Sequence, residues 1–364
     1  MSSQDSQAYP FVSDKEYSSE PQTWRRKHQK VTGANKGIGL EIVKQLASNG
    51  IMVLLTARNE KRGTEAVEKL KDSGFSDVVF HQLDVSDTAS IASLADFIKT
   101  EFGKLDILVN NAAVNGLDVD LQDLDSSLKE SIEQGGRPAF YKLLAAAVED
   151  YEKAVECLNI NYYGAKNVID ALMPLLQLSR SPRIVNVSSV VGKLQWIPSE
   201  SIRKEFGDAD GLSEEKLDEL LQLFLSDFKG GNLKKNGWPT RSSAYIISKV
   251  ALNALTRILA KKYPEFCINC VHPGFVKTEI NFNTGTEIVE EGAKGPVMLA
   301  LLPDGGPSGF YYDHTSTKSI IHQDHKHGGG SIKKDCCSDW CKPRDWVGDC
   351  EAACKQWNHG SVDC

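Results

Sequence analysis

The apolar positions fall into two alternating patterns. Ile51-Met52-Val53-Leu54-Leu55-Thr56 is a continuous apolar run, as expected of a strand buried on both faces. Leu105 to Val109 reads as another buried strand, Arg183 to Val187, Cys267 to Val271 and Asp77 to His81 as further strands, and Ser308 to Tyr312 as the last. Between them lie segments of helical period: Gly39 to Asn49, Asn59 to Lys71, Asp87 to Phe102, one or two long helices in Ala146 to Gln177, and Val250 to Lys262. Strands alternating with helices predict an α/β fold, a doubly wound parallel sheet with helices on both faces.

Three stretches break the rhythm. Gly116 to Gly136 reads as a surface excursion, and Ser199 to Trp238 as a polar, partly helical insertion. The third lies where the first strand should run, at Trp24-Arg25-Arg26-Lys27-His28-Gln29-Lys30 ahead of Val31-Thr32. Polar side chains conflict with two-faced burial, so the expectation is that only Gln29 to Thr32 pair and the charges escape at the strand's end.

Composition narrows the function classes. The chain has 364 residues, 41% hydrophobic and 25% charged, with a net charge of -7. That balance speaks against nucleic acid and anionic membranes as partners. No apolar run is long enough to span a bilayer, and Met1 to Lys30 has no apolar leader core, so the cytoplasm is the expected compartment. Six of the nine cysteines and five of the eight histidines lie after residue 312. The expected organisation is an extension at 1–23 that stays disordered, a cofactor-binding domain at 24–312 with its insertion at 199–238, and a linker with a Cys/His-rich tail at 313–364. Within the tail, Gly328 to Ser331 reads as a flexible linker. Cys337, Cys341, Cys350 and Cys354 form two i, i+4 pairs, open to a disulfide-stapled hairpin, to free thiols, or to zinc with His322, His325 or His327. No metal site is assigned.

The chemistry concentrates in two places. Gly33, Gly37 and Gly39 form a loop between a strand and a helix, with Asn35, Lys36 and Ile38 between the glycines, the pattern that lets a backbone approach a dinucleotide pyrophosphate. Ala57-Arg58 ends the second strand with no acid, and Lys36 adds a second positive charge; together they favour NADP(H) over NAD(H). Further on, Tyr245 and Lys249 are four residues apart and share a helix face. A lysine at that spacing is expected to lower the phenol's pKa and fit Tyr245 for proton transfer.

Six motifs then stand in order: Thr32 to Gly39, Asn110-Asn111-Ala112-Ala113, Asn161-Tyr162-Tyr163-Gly164, Asn186-Val187-Ser188-Ser189, Tyr245 to Lys249, and Pro273-Gly274-Phe275-Val276-Lys277-Thr278. With them the chain, from about Val31 to Tyr312, resembles the short-chain dehydrogenase/reductase family. The long segment before Tyr245 is similar to the monomeric carbonyl-reductase branch, which includes plant menthone, neomenthol and salutaridine reductases.

The resemblance implies a Rossmann-like fold, an NADPH/NADP cofactor and a small-molecule carbonyl substrate. Tyr245 would be the general acid, and Lys249 would hold the nicotinamide ribose and depress the Tyr245 pKa. Ser189 would hydrogen-bond the substrate carbonyl, and Asn161 would hold a water that relays protons to Lys249. Asp84 would meet the adenine and Asn110 would line the cleft. Thr278, after the Pro273-Gly274 turn, would meet the carboxamide. The insertion would cover the face through which relatives tetramerise, leaving a monomer. Two other functions compete with carbonyl reduction: an NADP-binding protein impaired at its first strand, and a partner-binding role for the tail.

Overall fold

A computed structural model describes residues 28–118, 130, 132, 134–208 and 210–318. The expectations for residues 1–23 and for the tail cysteines lie outside the described residues. The order of elements follows the apolar alternation: β1 (His28–Val31), α1 (Gly37–Ser48), β2 (Met52–Ala57), α2 (Glu60–Asp72), β3 (Val78–Gln82), α3 (Thr88–Phe102), β4 (Ile107–Asn110), α4 (Gly136–Ala146), α5 (Tyr151–Leu158), a π-turn (Asn159–Gly164), α6 (Ala165–Leu176) and β5 (Arg183–Val187). Then come α7 (Glu200–Gly207), α8 (Glu214–Lys229), α9 (Leu233–Asn236), α10 (Ser243–Lys262), β6 (Cys267–His272), α11 (Val289–Ala300), β7 (Tyr311–Asp313) and β8 (Ser316–Lys318).

The sheet order is β3-β2-β1-β4-β5-β6-β7-β8, parallel except for β8. This is the Rossmann-like, doubly wound arrangement. Its strand order reverses between β1 and β4, and ligands bind at the carboxyl ends of the strands flanking such a switch point. The last strand differs from expectation. Pairing runs past Tyr312 through Asp313, and a turn returns β8 along it, with Tyr311 opposite Lys318.

Two apolar layers cover the sheet. On one face, Leu54, Leu108, Ile184 and Ile268 pack against α3, α5, α6, α8 and α10. On the other, Val53, Leu55, Val109 and Val185 pack against α1, α2 and α11. Local signals start and stop these helices. Asn59, Asp87 and Ser213 cap α2, α3 and α8 by accepting from Arg62, Ala89 and Lys216, and left-handed Gly103 closes α3.

The insertion is a packed element. Leu217, Leu221 and Phe224 of α8 are fully buried, and Trp238 donates to Asp227 at 2.7 Å. Asp218 accepts from Tyr162 at 2.8 Å and from Lys166 at 2.6 Å. The insertion therefore lies over α5, α6 and α10, on the outer helical face.

β1 corrects the expectation for the polar start. Gln29 to Val31 pair with both β2 and β4, but the Lys30 charge does not escape. In register, Lys30 stands between Leu54 and Leu108, and Gln29 between Val53 and Ile107, so each polar side chain points into one of the two apolar layers. Lys30 is 0% exposed, and its amine and both amide atoms of Gln29 have no hydrogen-bond partner. Burial holds the Lys30 pKa well below its ordinary 10.5.

Candidate active site

The glycine loop leaves β1 and enters α1 at the switch point. Gly33 has φ +60°, and a Cβ there would meet Ala112 Cα at 2.9 Å. A Cβ on Gly39 would come within 2.5 Å of both Asn111 Nδ2 and Gly33 O. Only glycine allows this approach of loop, helix and β4 terminus. Asn111 clamps the loop by donating to Thr32 O at 3.0 Å and Gly33 O at 3.1 Å. Ile38 packs into the layer beneath α1. No side chain caps α1 and no acid stands in its first turn, so the positive end of the helix dipole faces the cleft without a competing anion. These features fit a dinucleotide pyrophosphate.

Charges flank the loop. Lys36, with Asn35, lines a cleft of about 540 Å³ that also takes in Lys44, Arg62, Lys69 and Glu279. Lys36 forms an ion pair with Glu279 on the far side of that cleft. Arg58 is exposed at the end of β2, its carbonyl accepting from Gln82 Nε2 at 3.2 Å. The carboxylate of Asp84 is engaged by Ser86, at 2.9 Å to the amide and 2.6 Å to the hydroxyl. Asn110, at the end of β4, donates to Asn186 at 2.9 Å, leaving its own buried oxygen unpartnered.

Past β6, Pro273 and Gly274 turn the chain, and Gly274 (φ +99°) packs against the Glu287 carboxylate. Thr278 follows, its methyl placed 3.4 Å from where a Cβ on Gly37 would stand. The segment after β6 thus reaches the glycine loop.

Tyr245 and Lys249 lie on α10, which begins seven residues earlier than the apolar period indicated. The Lys249 amine lies 5.7 Å from the Tyr245 ring centroid and donates to Val187 O at 2.9 Å. Ser189, just past β5, stands close enough to the phenol for its hydroxyl to pull the Tyr245 pKa down. Its backbone carbonyl accepts from the buried Tyr311 hydroxyl at 3.3 Å.

The electrostatics differ from expectation. Burial pushes the Tyr245 phenol up to about 12, with Ser189 pulling it back and the buried Cys157 thiol adding to the rise. Burial outweighs the neighbouring ammonium, and desolvation takes Lys249 itself down to about 8, so that it stays mostly charged near neutrality and loses its charge above that. Cys157, buried against Asn161 and Ser248, is itself pushed up to about 12.

Asn161 lies in the π-turn that follows α5. Its amide oxygen accepts from Val114 N at 2.9 Å, and its nitrogen donates to Val114 O at 2.9 Å and Ser248 Oγ at 3.0 Å. With both ends of the side chain engaged, the water expected at Asn161 would have to be met by main chain.

Sequence reasoning missed Asn111, Arg62, Tyr311 and Glu149. Asn111 was legible within the Asn110-Asn111 motif, and Arg62 as a cation one turn beyond Arg58. For Tyr311 and Glu149 there was no local signal, since their partners are 122 and 94 residues away.

Comparison with known proteins agrees with this arrangement. The short chain dehydrogenase family pattern matches residues 27–200. Short-chain dehydrogenase/reductase 1 of Saponaria officinalis is 56% identical over 290 residues, spanning 79% of this chain and 94% of the relative. Salutaridine reductase of Papaver bracteatum is 54% identical over 291 residues, 78% of this chain and 93% of its own. The solved structure of salutaridine reductase from Papaver somniferum superposes with a TM-score of 0.74 at 52% identity, covering 79% of this chain and 99% of that one. On the glycine loop at the switch point, the convergence of Ser189, Tyr245 and Lys249, and these likenesses, the chain belongs to the short-chain dehydrogenase family and is an oxidoreductase.

Proposed function

We propose that this protein reduces a ketone or aldehyde to an alcohol, reversibly, with NADPH. The observation that carries the reading is the meeting of the Ser189 hydroxyl and the Tyr245 phenol beside Lys249, at the edge of the sheet that holds the glycine loop. When bound, the cofactor supplies the hydride. As hydride reaches a carbonyl carbon, charge builds on its oxygen, and Ser189 and Tyr245 are the two donors for it. Tyr245 gives the proton. Lys249 holds the ribose, and its charge favours the phenolate left behind. The main chain at Asn161 meets the water that relays a proton inward. Asp84 meets the adenine, Asn110 lines the cleft, and Thr278, after Pro273 and Gly274, meets the carboxamide.

Relatives named salutaridine reductase and neomenthol dehydrogenase support a terpenoid or alkaloid ketone as the substrate class. The deciding experiment is a panel of such ketones and aldehydes with NADPH consumption as readout. NADPH binding with no turnover on any of them would favour a second reading, a cofactor-binding protein impaired at β1, where Gln29 and Lys30 are buried without partners.

For the cofactor, Arg58 and Lys36 favour the 2'-phosphate, with Arg62 lining the same cleft as Lys36. Arg58→Asp should shrink a preference for NADPH over NADH by about 10- to 100-fold, the equivalent of ~1.4–2.8 kcal/mol. A wild-type protein that uses both cofactors equally would contradict this assignment.

A monomer in the cytosol completes the reading. The packing of α8 over α5 and α10 supports it, because that face is then taken by the chain's own insertion. Sedimentation should give one species of monomer mass; a tetramer would show that assembly uses another surface.

A further inference from the structure

The first turn of α10 has no local cap. Ser242, which precedes it, is left-handed (φ 46°, ψ 37°), and its side chain caps nothing. Ser243 and Ala244 are fully buried, so their amides have no access to water. The missing acceptor comes from 94 residues upstream. Glu149 Oε2 accepts from the Ser243 amide at 2.8 Å and the Ser243 hydroxyl at 3.0 Å, and Oε1 accepts from the Ala244 amide at 2.7 Å. Tyr245 is the next residue.

Glu149 is itself held on both sides. Val148 exchanges two backbone hydrogen bonds with Asp118, at 2.9 and 3.0 Å. Asp150 caps α5 by accepting from the Lys153 amide at 2.7 Å. At the far end of α5, Asn161 donates to Ser248 Oγ at 3.0 Å, and Ser248 donates to the Tyr245 carbonyl at 2.8 Å. The segments that flank α5 therefore join α10 at two points that bracket Tyr245, and two points fix the rotation of α10 about its axis. A carboxylate suits the outer point, since two amides and a hydroxyl converge on it at the positive end of a helix.

We infer that Glu149 is a positioning residue for Tyr245: its carboxylate sets the first turn of α10 so that the phenol meets Ser189 and the substrate oxygen. A glutamine there has one oxygen and an NH2 group, which would face one of the two amides as donor against donor. Glycine or alanine would leave both amides bare. Lys249, more than a turn further on, is anchored separately on Val187.

The test compares wild type with Glu149→Gln and Glu149→Ala in the full chain. The kinetic arm rests on the reductase reading. Glu149→Gln should lower kcat by about 10- to 100-fold, the loss expected of a reacting group displaced by about an ångström. The NADPH Kd, read from cofactor fluorescence, and the carbonyl KM should stay within about twofold. Added formate should restore part of the kcat of Glu149→Ala by returning a carboxylate to the gap. A kcat for Glu149→Gln within twofold of wild type would overturn the inference, as would a loss of NADPH binding as large as the loss of kcat. The second arm does not depend on turnover. Amide hydrogen exchange at 243–246 should be at least tenfold faster in Glu149→Gln than in wild type, and unchanged exchange would overturn the inference. If wild type turns over no carbonyl substrate, the reductase reading fails and the exchange arm alone decides Glu149.

Discussion

Tyr245→Phe is expected to abolish carbonyl reduction, lowering kcat/KM by at least 1000-fold, about 4 kcal/mol of transition-state stabilisation, while NADPH still binds. The phenylalanine ring keeps the packing on α10, and Lys249 keeps its bond to Val187 O, so the loss isolates the hydroxyl. Among the residues that meet at this edge of the sheet, Tyr245 has the hydroxyl placed to lose a proton: Ser189 ionises far too weakly, and Lys249 is turned to a backbone carbonyl. A loss below about tenfold would remove Tyr245 from the proton donor's place.

The pH profile should follow from the same geometry. With Tyr245 pushed up to about 12, the phenol is protonated across the neutral range, as a donor must be. Lys249 is charged below about 8 and neutral above it. Its charge stabilises the phenolate that forms as the proton leaves, so reduction should weaken as pH rises through about 8 and the charge is lost. In Tyr245→Phe the residual rate should have no such limb.

Lys30→Ile is expected to raise stability by roughly 1–3 kcal/mol at pH 7, the cost of a buried amine with no hydrogen-bond partner. Lys30 lies between Leu54 and Leu108 with no partner for its amine, and isoleucine fits that apolar layer and a central strand. The sign of the pH dependence follows from linkage. In the folded chain Lys30 is neutral down to a pKa well below 10.5, while in the unfolded chain it takes up a proton at that ordinary value. Between the two, the unfolded state binds the extra proton, so wild-type stability should climb by about 1.4 kcal/mol per pH unit from this group as pH rises towards 10.5. Lys30→Ile should lose that slope and gain most at the acid end of the window. Chemical denaturation of both proteins from pH 7 to 10 reads the difference. Parallel curves, or a variant less stable than wild type, would mean that the Lys30 amine is satisfied in the folded protein.

Much of the architecture was legible because burial on both faces of a parallel strand leaves an unbroken apolar run. Ile51 to Thr56 announced β2 in this way, and Ile107 to Val109 announced β4 behind Asp106. The first strand was half legible. Gln29 to Val31 pair as expected, but Lys30 alone gave no sign that it would be buried. Its position is set by neighbours: Val31, Thr32 and the glycine loop must reach β4 and Ala112, and that register carries Lys30 inward. The start of α10 was less legible for a related reason. The apolar period begins at Val250, while the first turn depends on Glu149, which no local pattern marks.

The sequence by itself determined the kinds of chemistry and their order along the chain: a glycine loop, a Ser189 edge, and Tyr245 with Lys249 at one helical turn's spacing. Spacing of four residues fixes which side chains share a face, because the helix repeats every 3.6 residues. It says nothing about what that face meets. Only the tertiary structure decided that Lys249 turns to Val187, 62 residues away, that Glu149 holds the turn before Tyr245 from 94 residues away, and that Lys36 pairs with Glu279 across 243 residues. It also decided that burial outweighs the neighbouring ammonium in setting the Tyr245 pKa. Desolvation and hydrogen-bond partners depend on everything packed around a group, and at this site most of those atoms come from elements far apart in the chain.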